Sequence, residues 1–61
     1  MKHSDLVRRL KKAGCYLKRH GAGHDIWHSP ITGLDWPVPR HETKEIPPGT
    51  LRRIYEKLLG I

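Results

Sequence analysis

The chemistry available to this 61-residue chain lies mainly in five histidines, one cysteine and a pair of closely spaced glycines. The stretch His20-Gly21-Ala22-Gly23-His24-Asp25-Ile26-Trp27 concentrates it. Gly21 and Gly23 can take positive φ at little steric cost, so the chain can turn sharply there. The residues on both sides alternate well enough to be strands, which makes the bend a hairpin corner with His24 at a strand start. An imidazole has an ordinary pKa of about 6.5, so His24 can take or give a proton near neutral pH. Other chemistries fare worse. His20, His24 and His28 are spaced four apart, but the glycines disfavour the helix that would align them. On a strand only His24 and His28 share a face, some 13 Å apart at about 3.3 Å per residue, too far for one metal ion. The lone Cys15 reads as a packed core thiol rather than a nucleophile. Gly21-x-Gly23 lacks the third glycine and the following helix of a phosphate loop, so a hairpin turn is the better reading. No metal and no cofactor is expected.

Charge narrows the partner. Twelve Lys and Arg against six Asp and Glu leave a formal +6, with a pI of about 10.0. That surplus on so small a domain points to a polyanion, either nucleic acid or an acidic protein. RNA also carries its own nucleophile, the 2′-hydroxyl. An enzyme acting on it must remove that proton, stabilise the charge of the phosphorane and protonate the leaving 5′ oxygen. His24 is the candidate general acid/base. Lys18, Arg19 and Arg40 are candidate charge stabilisers, and His28 and His41 candidate second proton carriers. A histidine beside a glycine bend also occurs as a plain turn residue, and the residues alone leave both readings open.

The elements that must position these groups follow from periodicity. Ser4 is a suitable N-cap and Asp5 favours a helix N-terminus. Leu6, Val7, Leu10 and Ala13 then recur on one helical face, and Gly14 is the stop, predicting a helix over roughly Asp5 to Ala13. Cys15 to His20 reads as a strand with Cys15 and Leu17 toward the core and Lys18 and His20 outward. His24 to His28 is the second strand. Ser29 to Gly33 is a turn. Leu34 to Val38 is a third strand with Leu34, Trp36 and Val38 on one face, and Pro37 and Pro39 make it an edge. Arg40 to Glu45 is a polar connection. Ile46 to Thr50 opens a last helix with a stripe of Leu51, Ile54, Tyr55 and Leu58, ended by Gly60. The order α-β-β-β-α predicts one small α+β domain over residues 1–61, a three-stranded antiparallel sheet with both helices on one face. This is the layout of a reduced double-stranded-RNA-binding-domain-like fold. A single cysteine fits a reducing compartment, and no apolar run is long enough to span a bilayer, so a cytoplasmic location is expected.

Several segments together carry a resemblance. They are Ala13-Gly14 closing the first helix, Arg19 in a strand, Gly23-His24 followed by Ile26-Trp27, Val38-Pro39-Arg40-His41, and Pro48-Gly49-Thr50-Leu51 opening a helix that ends Leu59-Gly60-Ile61. In this order and spacing the chain resembles the HicA family of toxins from bacterial toxin–antitoxin systems. The resemblance implies a dsRBD-like endoribonuclease, an mRNA interferase cleaving mRNA and neutralised by a HicB antitoxin, with the family's catalytic histidine falling on His24. The chain departs from the family in having Ala22-Gly23 where Gly-Ser is common, and Asp25 where a second histidine often stands. The expected partners are thus mRNA and a HicB-like antitoxin, with no membrane and a monomeric free toxin. The alternatives are a non-catalytic RNA- or DNA-binding module of the same fold, or a basic protein-interaction domain.

Overall fold

The computed structural model describes residues 1–40 and 45–61. Helix α1 (His3–Lys12) is followed by β1 (Tyr16–His20), β2 (His24–His28) and β3 (Asp35–Pro39). Helix α2 (Pro48–Ile54) continues as a widened π-type turn over Tyr55–Leu59. The α-β-β-β-α order and the three-stranded antiparallel sheet match the expectation. Most of the polar connection after Arg40, including His41, lies outside the described residues.

The sheet runs β1-β2-β3, so each strand pairs with its neighbour in the chain. Its helix-facing side carries Trp27 and Val38, which join Leu6 and Leu10 of α1, Ile54 of α2 and Leu58 of the π turn in one core with Cys15 and Ile46. The helix stripes read from the sequence are the ones that supply this core. Pro48 opens α2, where a missing N–H leaves no hydrogen bond unmade. At the other end, Gly14 and Gly60 take left-handed φ of +91° and +72° and stop their helices. The carbonyls left over at the C-terminal turn are met from elsewhere in the chain. Ser29 Oγ and Cys15 Sγ donate to the Leu58 carbonyl, and Thr32 Oγ1 to that of Lys57. The turn after β2 is thereby tied to the last helix.

Three expectations need correction. Helix α1 starts at His3, two residues early, with Lys2 at the N-cap position and no side-chain cap, so Ser4 lies inside the helix. Lys2 instead bridges to Glu45, and the chain entering α1 is held by that pairing. Leu17, expected toward the core, is exposed, and so is Leu34, expected to open the third strand on the face of Trp36 and Val38. For Leu17 the reason is that α1 stands off β1 across a cavity of about 310 Å³ lined by His3, Val7, Lys11 and Tyr16. Leu34 precedes β3, which begins at Asp35. The third correction is in β1. Tyr16 pairs with His28 and Leu17 with Trp27, but Arg19 pairs with Ile26 and His20 with Asp25, so Lys18 is an extra, bulged residue. One inserted residue exchanges the faces of everything beyond it. His20 therefore turns from the predicted outward face to the side of Asp25, and Arg19 takes the outward face.

Candidate functional site

The hairpin between β1 and β2 closes through Gly21–Gly23, as the glycines suggested, but the two glycines do different jobs. Gly23 has φ +73° and open space around it, so it is there for conformation. Gly21 is there for room. A Cβ on it would stand 3.0 Å from His24 Nε2 and 3.1 Å from the His24 carbonyl, and its own N–H donates to that carbonyl at 2.7 Å. The His24 ring is thus seated so closely over Gly21 that a side chain there would push it aside by a few tenths of an ångström.

His24 pairs with Pro39, Ile26 with Pro37 and His28 with Asp35, which sets these residues on the sheet face away from the helices. Tyr16 and Arg19 share that face through their partners His28 and Ile26. The candidates do not gather at one point. His28 sits at the far end of β2, about 13 Å from His24 by strand geometry. There its Nδ1 contacts Asp35 Oδ1 at 2.6 Å, and Lys18 Nζ contacts Asp35 Oδ2 at 2.7 Å. The Lys18 contact, and then that of His28, hold the Asp35 carboxyl below its ordinary value of 3.8. Asp35 in turn raises Lys18 above 10.5. One candidate cation, Lys18, and one candidate proton carrier, His28, are therefore held by a single carboxylate.

Arg40 lies at the His24 end but serves the hairpin corner. Its Nη2 donates to the Gly21 carbonyl at 2.7 Å, its Nε is 3.4 Å from Asp25 Oδ1, and its backbone N–H donates to the Gly23 carbonyl at 3.3 Å. Asp25 is buried, and the same Oδ1 is 2.8 Å from His20 Nδ1. This buried carboxylate holds two basic side chains against the bend. As alternation requires, it faces away from His24 and does not orient it. Sequence reasoning left Asp25 and His20 without a role. The missing signal was the bulge at Lys18, without which His20 and Asp25 fall on opposite faces.

His24 itself is half-buried and, among the described residues, makes no side-chain hydrogen bond or ion pair. It lines an open groove of about 710 Å³ along the outer edge of β3, with Trp36, Pro37, Pro39, Pro47, Thr50 and Arg53. Such a volume suits a small-molecule or nucleotide-sized guest. Thr50 and Arg53 were missed in the sequence. Their i, i+3 spacing sets them on one helical face, yet nothing in it tells that this face overhangs β3. Among the described residues no cluster of three or more His, Cys, Asp or Glu side chains could hold a metal ion. No helix among them is long and apolar enough to cross a membrane.

A small basic α+β domain of dsRBD-like arrangement, with a histidine seated over a glycine hairpin and facing a groove, is the class that fold and site define. The family model described as the HicA toxin of bacterial toxin–antitoxin systems matches residues 4–61, and the chain belongs to that family. Its role is therefore that of a toxin, and membership implies a cognate antitoxin. No curated protein and no solved structure matches it significantly.

Proposed function

We propose that this toxin is a metal-independent endoribonuclease acting on mRNA, with His24 as general acid/base, restrained by a HicB-like antitoxin that covers His24. One observation carries the reading. Of the three histidines around the β1–β2 hairpin, His20 and His28 are each held by a carboxylate, while His24 faces a groove with no such contact among the described residues. In the reaction, the imidazole takes the proton of the 2′-hydroxyl as its oxygen attacks phosphorus. The bond to the 5′ oxygen breaks, and the proton taken is the one the leaving oxygen needs. The products are a 2′,3′-cyclic phosphate and a 5′-hydroxyl. Arg19, on the same sheet face, supplies positive charge for the phosphorane.

The test is incubation of the purified protein and its His24→Ala form with single-stranded RNA in EDTA. Cleavage to cyclic-phosphate ends by the wild type only, with both proteins equally folded by circular dichroism, is the expected result. Products bearing 5′-phosphate and 3′-hydroxyl ends point instead to an activated water and sink the mechanism. Binding without cleavage leaves the non-catalytic RNA-binding module.

A further inference from the structure

The groove beside His24 has two unlike halves. One half is apolar and wraps the free edge of β3, with Trp36 on the helix-facing side of the strand, Pro37 and Pro39 on the opposite side, and Pro47 beside them. The other is polar and cationic, made by Thr50 and Arg53 of α2. The prolines leave this edge of β3 short of backbone donors, so the groove does not invite an added strand. Trp36 is half-buried, and Lys57 Nζ stands 5.3 Å from its ring centre, which fixes the indole against the last helix while it also lines the groove. The neighbouring arginines of α2 differ. Arg52 spends its charge on Glu56 at 3.5 Å, whereas among the described residues Arg53 meets no carboxylate.

An apolar edge opposite a cation matches one unit of single-stranded RNA, whose bases are exposed and whose phosphates alternate with them. A duplex would present no free base to such an edge. The net charge of +6 favours a polyanionic guest over an acidic peptide only weakly, but the apolar edge favours a base over a carboxylate side chain. We propose that this groove is a nucleotide subsite, with a base lying along the β3 edge against Trp36 and its phosphate held by Arg53, adjacent to the phosphodiester presented to His24. The proposal rests on the ribonuclease reading for its substrate and adds the residues that bind next to the reacting bond.

The probe is a short single-stranded oligonucleotide with 2′-O-methyl riboses, which cannot supply the nucleophile, so wild-type protein is used intact. Binding should change the fluorescence of Trp36, since Trp27 is buried in the core, and Trp36→Phe should abolish the change. Arg53→Ala should weaken binding about tenfold and reduce the slope of log affinity against log salt by about 0.7, the loss of one phosphate contact. Arg52→Ala should weaken it less than twofold. Absence of oligonucleotide binding, binding with no change at Trp36, or equal affinities of the Arg53→Ala and Arg52→Ala proteins overturns the subsite. So does a loss of antitoxin binding in Arg53→Ala with oligonucleotide affinity unchanged. Cleavage of all-ribose RNA is measured in parallel. Wild type that binds as described but does not cleave removes the ribonuclease reading and leaves the subsite standing, and cleavage without these binding effects does the reverse.

Discussion

The two ends of β2 carry the same residue on the same face and treat it in opposite ways. At one end His28 is pinned by Asp35, which also takes Lys18, and the Tyr16 ring leans on it with centroids 5.2 Å apart. At the other end His24 rests over Gly21 and opens onto the groove. A carboxylate among cations cancels their attraction for a phosphate, so the His28 end is electrostatically spent. The His24 end has its carboxylate too, but Asp25 is buried on the opposite face and holds His20 and Arg40. What separates a structural histidine from an available one is therefore the face on which the nearest aspartate falls.

The strongest way to break this comparison is to remove each histidine in turn. His24→Ala should lower RNA cleavage by about 10²- to 10⁴-fold, the usual contribution of a general acid–base group, at an unchanged thermal midpoint. His28→Ala should lower it only a few-fold. Equal losses in a cleavage assay would erase the distinction between the two ends.

Asp25→Ala comes next. It leaves the exposed Arg40 and His20 without their shared acceptor and should cost about 1 kcal/mol in urea denaturation, the net worth of a part-buried hydrogen bond. Cleavage should fall as well, because the glycine bend beneath His24 loses the tie through Arg40. A comparable effect is expected from Gly21→Ala. Its Cβ would press on the His24 ring, so cleavage should drop about tenfold, the 1.4 kcal/mol equivalent of a displaced proton carrier. Gly23→Ala should do the converse, costing about 1–2 kcal/mol of stability through its positive φ while sparing the ring. Denaturation and cleavage measured on both variants separate room from conformation.

The smallest effect concerns the other end. Asp35 is held below 3.8 in the folded protein, so its contribution is present above that pH and is lost as pH falls through the lower folded value. Lys18 is held above 10.5, so its contribution is present below that pH and is lost as pH rises through the higher folded value. Urea midpoints should decline in the wild type as the pH is lowered from about 5 to about 2.5 and be flatter in Asp35→Asn. That variant also frees Lys18 and His28, so its RNA affinity should rise slightly at low salt.

Much of the scaffold was legible because its signals are local. The stripes Leu6–Leu10 and Ile54–Leu58, the stops at Gly14 and Gly60, and the edge prolines of β3 each follow from one segment's own periodicity or backbone limits. The β2 bounds, His24 to His28, were also readable from the glycines on one side and Ser29-Pro30 on the other. The site was less legible. Lys18, Arg19 and Arg40 could be read as cations near a histidine and His28 as a second proton carrier, but not which would be taken by an aspartate, since those pairings span 7, 15 or 17 positions of sequence.

By itself the sequence determined the element order, the two amphipathic helices, the sharp corner before His24 and the strongly basic surface. These depend on residue type and short-range spacing, which act wherever the segment ends up. Only the tertiary structure decided three things. The bulge at Lys18 turned His20 onto Asp25, the stand-off of α1 left Leu17 uncovered, and the approach of α2 to the β3 edge set Arg53 across a groove from His24. Each is a matter of register or of how two elements meet, and neither is encoded in the periodicity of either element alone.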